Sequence, residues 1–270
     1  MLITPQYPVS PGTMARNAST AEHPYFFHDA QSCYIPSVAL LKNLVGNSYP
    51  LDIQSTVELP TTKYGTAIDC DGAALDYFAR ATQPTGLGSL TYNVWFRADA
   101  VGSTVYLCGT QNGGSDGGRY LRLNASSQLQ FEVAGDAIDA ANGGTTLVTG
   151  SWYLGTGVKD AAKDEIRLYL NGISDATPVS TSGVTYAADL TNWHIGSRPD
   201  FPDTLEFDGQ ISFVSVHKRA WNANEVRDFY RATVRDHREI LRRKPLSIPY
   251  APAAAAAGGG APMLTLLRVG

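Results

Sequence analysis

From Leu90 to Arg97 the chain alternates Leu90, Tyr92, Val94 and Phe96 with Thr91, Asn93, Trp95 and Arg97. A period of two with bulk on both faces predicts a central strand, covered on either side. The same period returns along the chain. Val105, Leu107 and Cys108 continue an apolar face, Arg119 to Leu123 form a further strand, and Leu129, Phe131 and Val133 alternate with Gln128, Gln130 and Glu132. Leu147 to Tyr153, then Ile166, Leu168 and Leu170 against Arg167 and Tyr169, then Trp193 to Gly196, extend the series, and Ile211, Phe213, Val214 and Val216 close it. Turn chemistry separates these runs: a Gly-rich stretch at 111–118, Asn124 to Ser127, a loop over Asp136 to Thr145, Asn171-Gly172, a Pro-punctuated loop at 197–203, and Asp208-Gly209. Asn171-Gly172 is the strongest short hairpin signal among them. Gly155-Thr156-Gly157 reads as a loop beside Trp152 and Tyr153. The whole pattern predicts an all-β fold, an antiparallel two-sheet jelly-roll sandwich.

The period then changes once, from two to 3.6. Asn222 can cap the first amides of a helix, Glu225 stands three residues on as in a capping box, and Val226, Phe229 and Tyr230 share one apolar face. Trp221, just before the cap, is a core residue on this reading. The ends of the chain lack such periodicity. Residues 1–50 are expected to be an N-terminal arm and first apolar segment, with Pro36 arguing against a central strand and Tyr25, Phe26 and Phe27 serving to dock the arm. Residues 51–231 hold the sandwich. Residues 232–270 are expected to be a basic segment followed by an Ala-, Gly- and Pro-rich arm ending in the apolar piece Met263 to Val269.

Four pieces in the right order carry a resemblance. Tyr64 to Gly72, Leu90 to Arg97, Ile166 to Gly172 and Leu205 to Tyr230 resemble the opening strand, a core strand, a hairpin and the closing strand and helix of laminin G-like, concanavalin A-like domains. The resemblance implies the fold, and by itself implies no reaction. A sandwich followed by an Arg-rich stretch and then Pro and Ala is similar to a group of tailed-bacteriophage virion proteins, though Val234-Arg235-Asp236-His237 replaces the Pro-Trp segment usual in that group. That resemblance implies a virion protein made in the host cytoplasm, with the major capsid protein or tail proteins as partners and a homo-oligomer on the particle.

Composition narrows the remaining classes. The 270 residues and 29.0 kDa allow one large domain with arms. Only 17 % of residues are charged, and a formal charge of −4 with a pI near 5.7 gives no pull toward nucleic acid or an anionic membrane. Cys33, Cys70 and Cys108 are widely spaced and outside any CxxC, so neither zinc nor a disulfide framework is indicated, and Cys70 and Cys108 read as buried small hydrophobes. The N-terminal residues lack the basic-then-apolar pattern of a signal peptide, and no apolar run approaches the ~20 residues of a membrane span.

Candidate chemistry is sparse. Retaining glycosidases need two carboxylates across the scissile bond, and the nearest acid pairs, Glu206/Asp208 and Asp69/Asp71, flank glycines expected to make turns, so no catalytic residue is assigned. His194 and His217 read as satisfied strand residues. The resemblance implies calcium at one rim, for which Asn112, Asp116, Asp136 and Asp139 are the candidate ligands; ordinary turn use is the competing explanation. Trp152, Tyr153 and Trp193 are the candidate sugar-stacking residues. Arg235, Arg238, Arg242 and Arg243, with Met263, Leu264, Leu266 and Leu267, are candidates for gripping a neighbouring subunit. The leading expectation is a non-enzymatic phage head decoration or cement protein. A tail or fibre module recognising a surface glycan is the alternative, and a glycoside hydrolase the third.

Overall fold

The computed structural model describes residues 30–37, 40–43, 52–54, 61–62, 65–72, 77–82, 88–111, 118–135, 138–182, 191–198 and 205–242. In chain order the first strands are β1 (Ala30–Ser37), β2 (Leu40–Asn43), β3 (Asp52–Gln54), β4 (Thr61–Thr62), β5 (Gly65–Thr66), β6 (Ile68–Asp71), β7 (Tyr77–Thr82), β8 (Leu90–Ala98) and β9 (Val105–Gln111). There follow β10 (Gly118–Leu123), β11 (Gln128–Ala134), β12 (Ile138–Thr146), β13 (Trp152–Asp160), β14 (Glu165–Leu170) and β15 (Ile173–Ser174). Last come β16 (Val179–Ser180), β17 (Thr191–Ile195), β18 (Asp208–His217) and a helix, α1 (Ala223–Arg242).

Sixteen of the described strands make two antiparallel sheets, and β4 and β5 pair only with each other. One has nine strands in the order β15-β14-β13-β8-β18-β1-β2, with β16 beside β14 and β6 beside β18. The other has seven, β12-β11-β10-β9-β17-β7-β3. Between them lies a core that takes Leu90, Tyr92, Val94 and Phe96 from β8, Ile166, Leu168 and Leu170 from β14, and Leu121, Leu129, Phe131 and Trp193 from the facing sheet. The opposite face of the nine-stranded sheet is also covered. Trp95, Leu154, Val158, Tyr169 and Phe213 pack there against Trp221 and the Val226, Phe229 and Ala232 face of α1. This second layer is why β8 carries large residues at consecutive positions.

The helix begins where its capping residues stand. Asn222 Oδ1 accepts from the amides of Asn224 and Glu225 at 2.9 and 3.1 Å, and the Asn222 amide donates to Glu225 Oε2 at 2.8 Å. The Trp95 indole donates to Thr233 Oγ1 at 2.9 Å, which pins the helix to the sheet. Asn171 and Gly172, with φ of 52° and 78°, form the two-residue turn from β14 to β15.

Five expectations need correction. Residues 30–43, placed in the N-terminal arm, contribute β1 and β2, so the sandwich begins before residue 51. Pro36 is accommodated because it pairs only with Leu41 of β2, beyond the part of β1 that pairs with β18. The 136–145 loop contains an edge strand, β12, whose polar exposed sequence reflects pairing with β11 alone, and the strand expected at Leu147 starts at Trp152 instead. Gly155-Thr156-Gly157 is the middle of β13: a Cβ on Gly157 would lie 2.3 Å from the Phe131 ring, and one on Gly155 3.0 Å from Leu129, so these glycines admit the facing sheet's side chains. Asp208-Gly209 is likewise inside a strand, where a Cβ on Gly209 would sit 2.2 Å from the Arg97 carbonyl oxygen.

The Gly157 contact predicts that Gly157→Ala costs about 1–3 kcal/mol through overpacking. Gly144→Ala, whose Cβ meets nothing closer than the Asp175 carbonyl oxygen at 3.6 Å, should stay within about 0.5 kcal/mol of the parent in urea unfolding. Equal midpoints for the two variants would contradict this account of β13.

Candidate functional site

The three aromatic candidates part company in the structure. Trp193 is 0 % exposed and meets Tyr92 edge to face with ring centroids 5.4 Å apart between the sheets. It is a core residue and offers no face to a ligand, because β17 turns it inward. Tyr153 also points inward, with its ring 5.8 Å from Phe96 and its hydroxyl accepting from the Val148 amide at 3.2 Å. Trp152, one residue earlier, points to the opposite face and is half-buried at the margin of the helix-covered layer. The expected Trp152–Tyr153 pair therefore does not form one surface, since successive strand residues face opposite ways.

Trp152 has other neighbours. Cross-strand pairing sets it opposite Arg97, Arg97 opposite Gln210, and Gln210 opposite Asp69, so one row crosses β13, β8, β18 and β6 on one face. All four side chains are half-buried. At about 4.8 Å per strand the row is about 14 Å long, enough for a short oligosaccharide. It combines an indole, a guanidinium, an amide and a carboxylate, which together can cover an apolar ring face and bond to hydroxyls. The row borders the layer under α1: Trp95, Leu154 and Phe213, the next outward positions of β8, β13 and β18, belong to that layer.

A second, more acidic row runs beside it. Asp208 pairs directly with Asp71, and the Asp99 amide donates to the Asp208 carbonyl at 3.0 Å. Arg97 Nη2 donates to both carboxylate oxygens of Asp99, at 2.8 and 3.1 Å. Burial and the neighbouring charges of Asp99, Asp71 and Asp69 raise the Asp208 carboxyl above its usual range.

The outward face of the seven-stranded sheet carries a different arrangement. Arg122 Nε donates to Gln130 Oε1 at 2.6 Å, its Nη atoms reach the Tyr106 hydroxyl and Glu132, and Gln130 Nε2 donates to Asn142 Oδ1. Burial raises the Glu132 carboxyl, and Arg122 and Arg198 counter it. Tyr106 and Tyr120 are 1 % and 3 % exposed, so this face is a closed network and not a stacking platform. Exposure therefore decides in favour of the Trp152 row. Nothing in the sequence period distinguished the two, and the row became visible only through strand register.

Other expected residues fall outside it. Asn112, Asp116 and Asp136 lie outside the described residues, and Asp139 stands in β12. Among the described residues no three His, Cys, Asp or Glu side chains gather as a metal site. Arg235, Arg238 and Arg242 lie on the last turns of α1, whose side chains there are outside the described set, as are Arg243, Met263, Leu264, Leu266 and Leu267. Glu206 is buried at 8 % exposure, beside the Phe207 core position. Cys70 and Cys108 are buried and in no disulfide. His194 and His217 bond to Ser197 and Ser215 at 3.0 and 3.1 Å.

Residues 72–227, more than half of the chain, match a family model described as the concanavalin A-like lectin/glucanases superfamily. No curated protein sequence matches. Among solved structures, domain 4 of AbnA, a GH43 extracellular arabinanase from Geobacillus stearothermophilus in complex with arabinotriose, superposes with a TM-score of 0.62 at 13 % identity. That match covers 75 % of this chain and 98 % of the domain. The binding domain of Paraclostridial Mosquitocidal Protein 1 gives 0.62 at 14 % identity over 75 % of this chain and 52 % of its own. The botulinum neurotoxin serotype D ligand binding domain, in complex with N-acetylneuraminic acid, gives 0.62 at 10 % identity over 76 % and 51 %. This chain thus spans about half the length of either toxin domain, and at these identities the likeness is one of fold.

The acidic row makes a prediction of its own. A carboxyl whose pKa is raised on folding contributes stability that is complete below its unfolded pKa and disappears as pH rises through the folded one. Asp208→Asn should therefore melt above the parent at pH 7, with the difference closing below about pH 4. A variant that melts lower at neutral pH, or a difference constant with pH, would remove the repulsion from this picture.

Proposed function

We propose, from the premise that this chain belongs to the concanavalin A-like lectin/glucanases superfamily, that it is a non-catalytic carbohydrate-binding module whose platform is the Trp152 row. The observation that carries the reading is the register that brings Trp152, Arg97, Gln210 and Asp69 side by side on one half-exposed face. Trp152 offers its ring to the apolar face of a sugar, while Gln210 and Asp69 bond to hydroxyls at fixed strand spacing. Fold neighbours whose own names record bound arabinotriose and N-acetylneuraminic acid support the class of ligand.

Hydrolysis fits less well. Asp71 and Asp208 stand side by side on adjacent strands at a spacing a retaining pair could use, but they lie in the acidic row beside Trp152 and not in the row that would hold the sugar. Glu206 is buried. Of the calcium candidates, Asp139 stands in β12 of the other sheet, and Asn112, Asp116 and Asp136 lie outside the described residues.

The full chain should bind at least one oligosaccharide on a glycan array, and Trp152→Ala should weaken that interaction at least about tenfold while leaving the melting temperature near the parent's. A blank array, or binding indifferent to Trp152→Ala, would sink the platform. Reducing ends released from a polysaccharide and lost in Asp208→Asn would replace binding with hydrolysis.

A second reading sets the same module on a phage particle, most simply as a head decoration protein or at the tail, held by its ends. It is supported by α1 running on to Arg242, into the Arg-rich segment. Removing residues 245–270 should then abolish incorporation into particles, and normal occupancy by the truncated form would dispose of the anchoring role.

A further inference from the structure

The charge around the Trp152 row says which sugars it can hold. Four carboxylates, Asp69, Asp71, Asp99 and Asp208, stand around Arg97 at one end of the nine-stranded sheet's outer face. Arg97 is half-buried, its side chain 31 % exposed, and one nitrogen that a ligand carboxylate would use is already taken: Nη2 holds both oxygens of Asp99 at 2.8 and 3.1 Å. A free carboxylate brought to the row would displace Asp99 from Arg97 and then face Asp69 and Asp208 across one or two strand spacings, about 5–10 Å. At that range like charges repel even when water screens them.

Resting on the carbohydrate-binding reading above, we infer that this site takes uncharged glycans and rejects acidic ones, sialic and uronic acids among them. Carboxylate side chains suit hydroxyl-rich neutral sugars, because each ionised Asp is an acceptor only and each sugar hydroxyl can donate to it. With Nη2 held by Asp99, Arg97 has less of its fork left for a bidentate grip on an anion. The Asp208 carboxyl, raised first by burial and then by Asp99, Asp71 and Asp69, is consistent with the negative field of these carboxylates. Fold likeness to a toxin domain that holds N-acetylneuraminic acid therefore does not carry that ligand across to this face.

The test uses matched glycans that differ by one carboxylate: N-acetyllactosamine against 3′-sialyl-N-acetyllactosamine, and dextran against carboxymethyl-dextran, on the full-length chain at low ionic strength. The neutral member of whichever pair binds should be preferred by at least about tenfold. Raising salt to about 0.3 M should compress the preference, since charges separated by more than a Debye length are then largely screened. In the double variant Asp71→Asn, Asp208→Asn the ratio should move toward one at low salt. Equal or stronger binding of the acidic member, abolished by Trp152→Ala, overturns the charge selection and leaves the platform standing. Failure of both members of both pairs and of a wider array overturns the platform and the selection together. If the double variant does not fold, the salt series on the parent protein decides alone, and a preference insensitive to salt counts against the inference.

Discussion

Everything outside the sandwich core depends on the seal that α1 makes over the outer face of the nine-stranded sheet. A sheet in a two-layer sandwich normally turns one face to water. Here that face carries Trp95, Leu154, Val158, Tyr169 and Phe213, and it is kept dry by Trp221, Val226, Phe229 and Ala232. The seal is specified at both ends, by the capping pair Asn222 and Glu225 at one and by the Trp95-to-Thr233 hydrogen bond at the other. The next row out is half-buried, neither core nor bulk surface. Trp152 lies in that row and packs against the apolar layer while keeping part of its surface accessible. A half-buried indole of this kind is already ordered, so a ligand that stacks on it loses little side-chain entropy in doing so.

The polar side chains under the helix follow the same logic. Thr156 Oγ1 donates to Asn93 Oδ1 at 2.8 Å, Asn93 Nδ2 to Ser215 Oγ at 3.2 Å, and Ser215 meets His217 Nε2 at 3.1 Å. All four residues are essentially inaccessible, and their bonds run across the strands as the row of Trp152 does. The difference lies in satisfaction. Buried polar groups bonded to one another fix register and specify a single packing, and leave little donor or acceptor capacity for a ligand. In the exposed row, Gln210 and Asp69 stand where an incoming hydroxyl can meet them.

Much of the architecture was legible in the chain, and the reasons are local. The period of two in β8, β11 and β14, the Asn171-Gly172 turn and the Asn222/Glu225 cap each depend on residues within a few positions of one another, so they read correctly as strand, hairpin and helix start. What the sequence hid were effects of distant neighbours. Gly155 and Gly157 look like loop residues until Phe131 and Leu129 of the other sheet are set against them, and Gly209 looks like a turn until the Arg97 carbonyl is brought close. β12 was read as a loop because an edge strand that faces water needs no apolar alternation. The site was the least legible part. Trp152 was singled out for its residue type, but the partners that give it meaning come from positions 97, 210 and 69, which no spacing rule connects.

The choice between the two polar faces of the sandwich illustrates why residue type alone misleads. Tyr106, Tyr120, Arg122, Gln130, Glu132 and Asn142 would, on composition, be the better sugar site: two tyrosines, an arginine and two amides. Yet Arg122 is committed on all three nitrogens, and the tyrosine rings meet each other edge to face at 5.1 Å with almost no surface to offer. The glycines beside Tyr120 explain its posture: a Cβ at Gly109 or Gly118 would fall 2.6 or 2.1 Å from the tyrosine, so the ring lies down on the sheet it came from. A side chain laid flat over two glycines and closed in by neighbours is spent on packing. The Trp152 row has fewer recognisable sugar-binding residues, but it keeps accessible surface and donors or acceptors in reserve, and binding requires those.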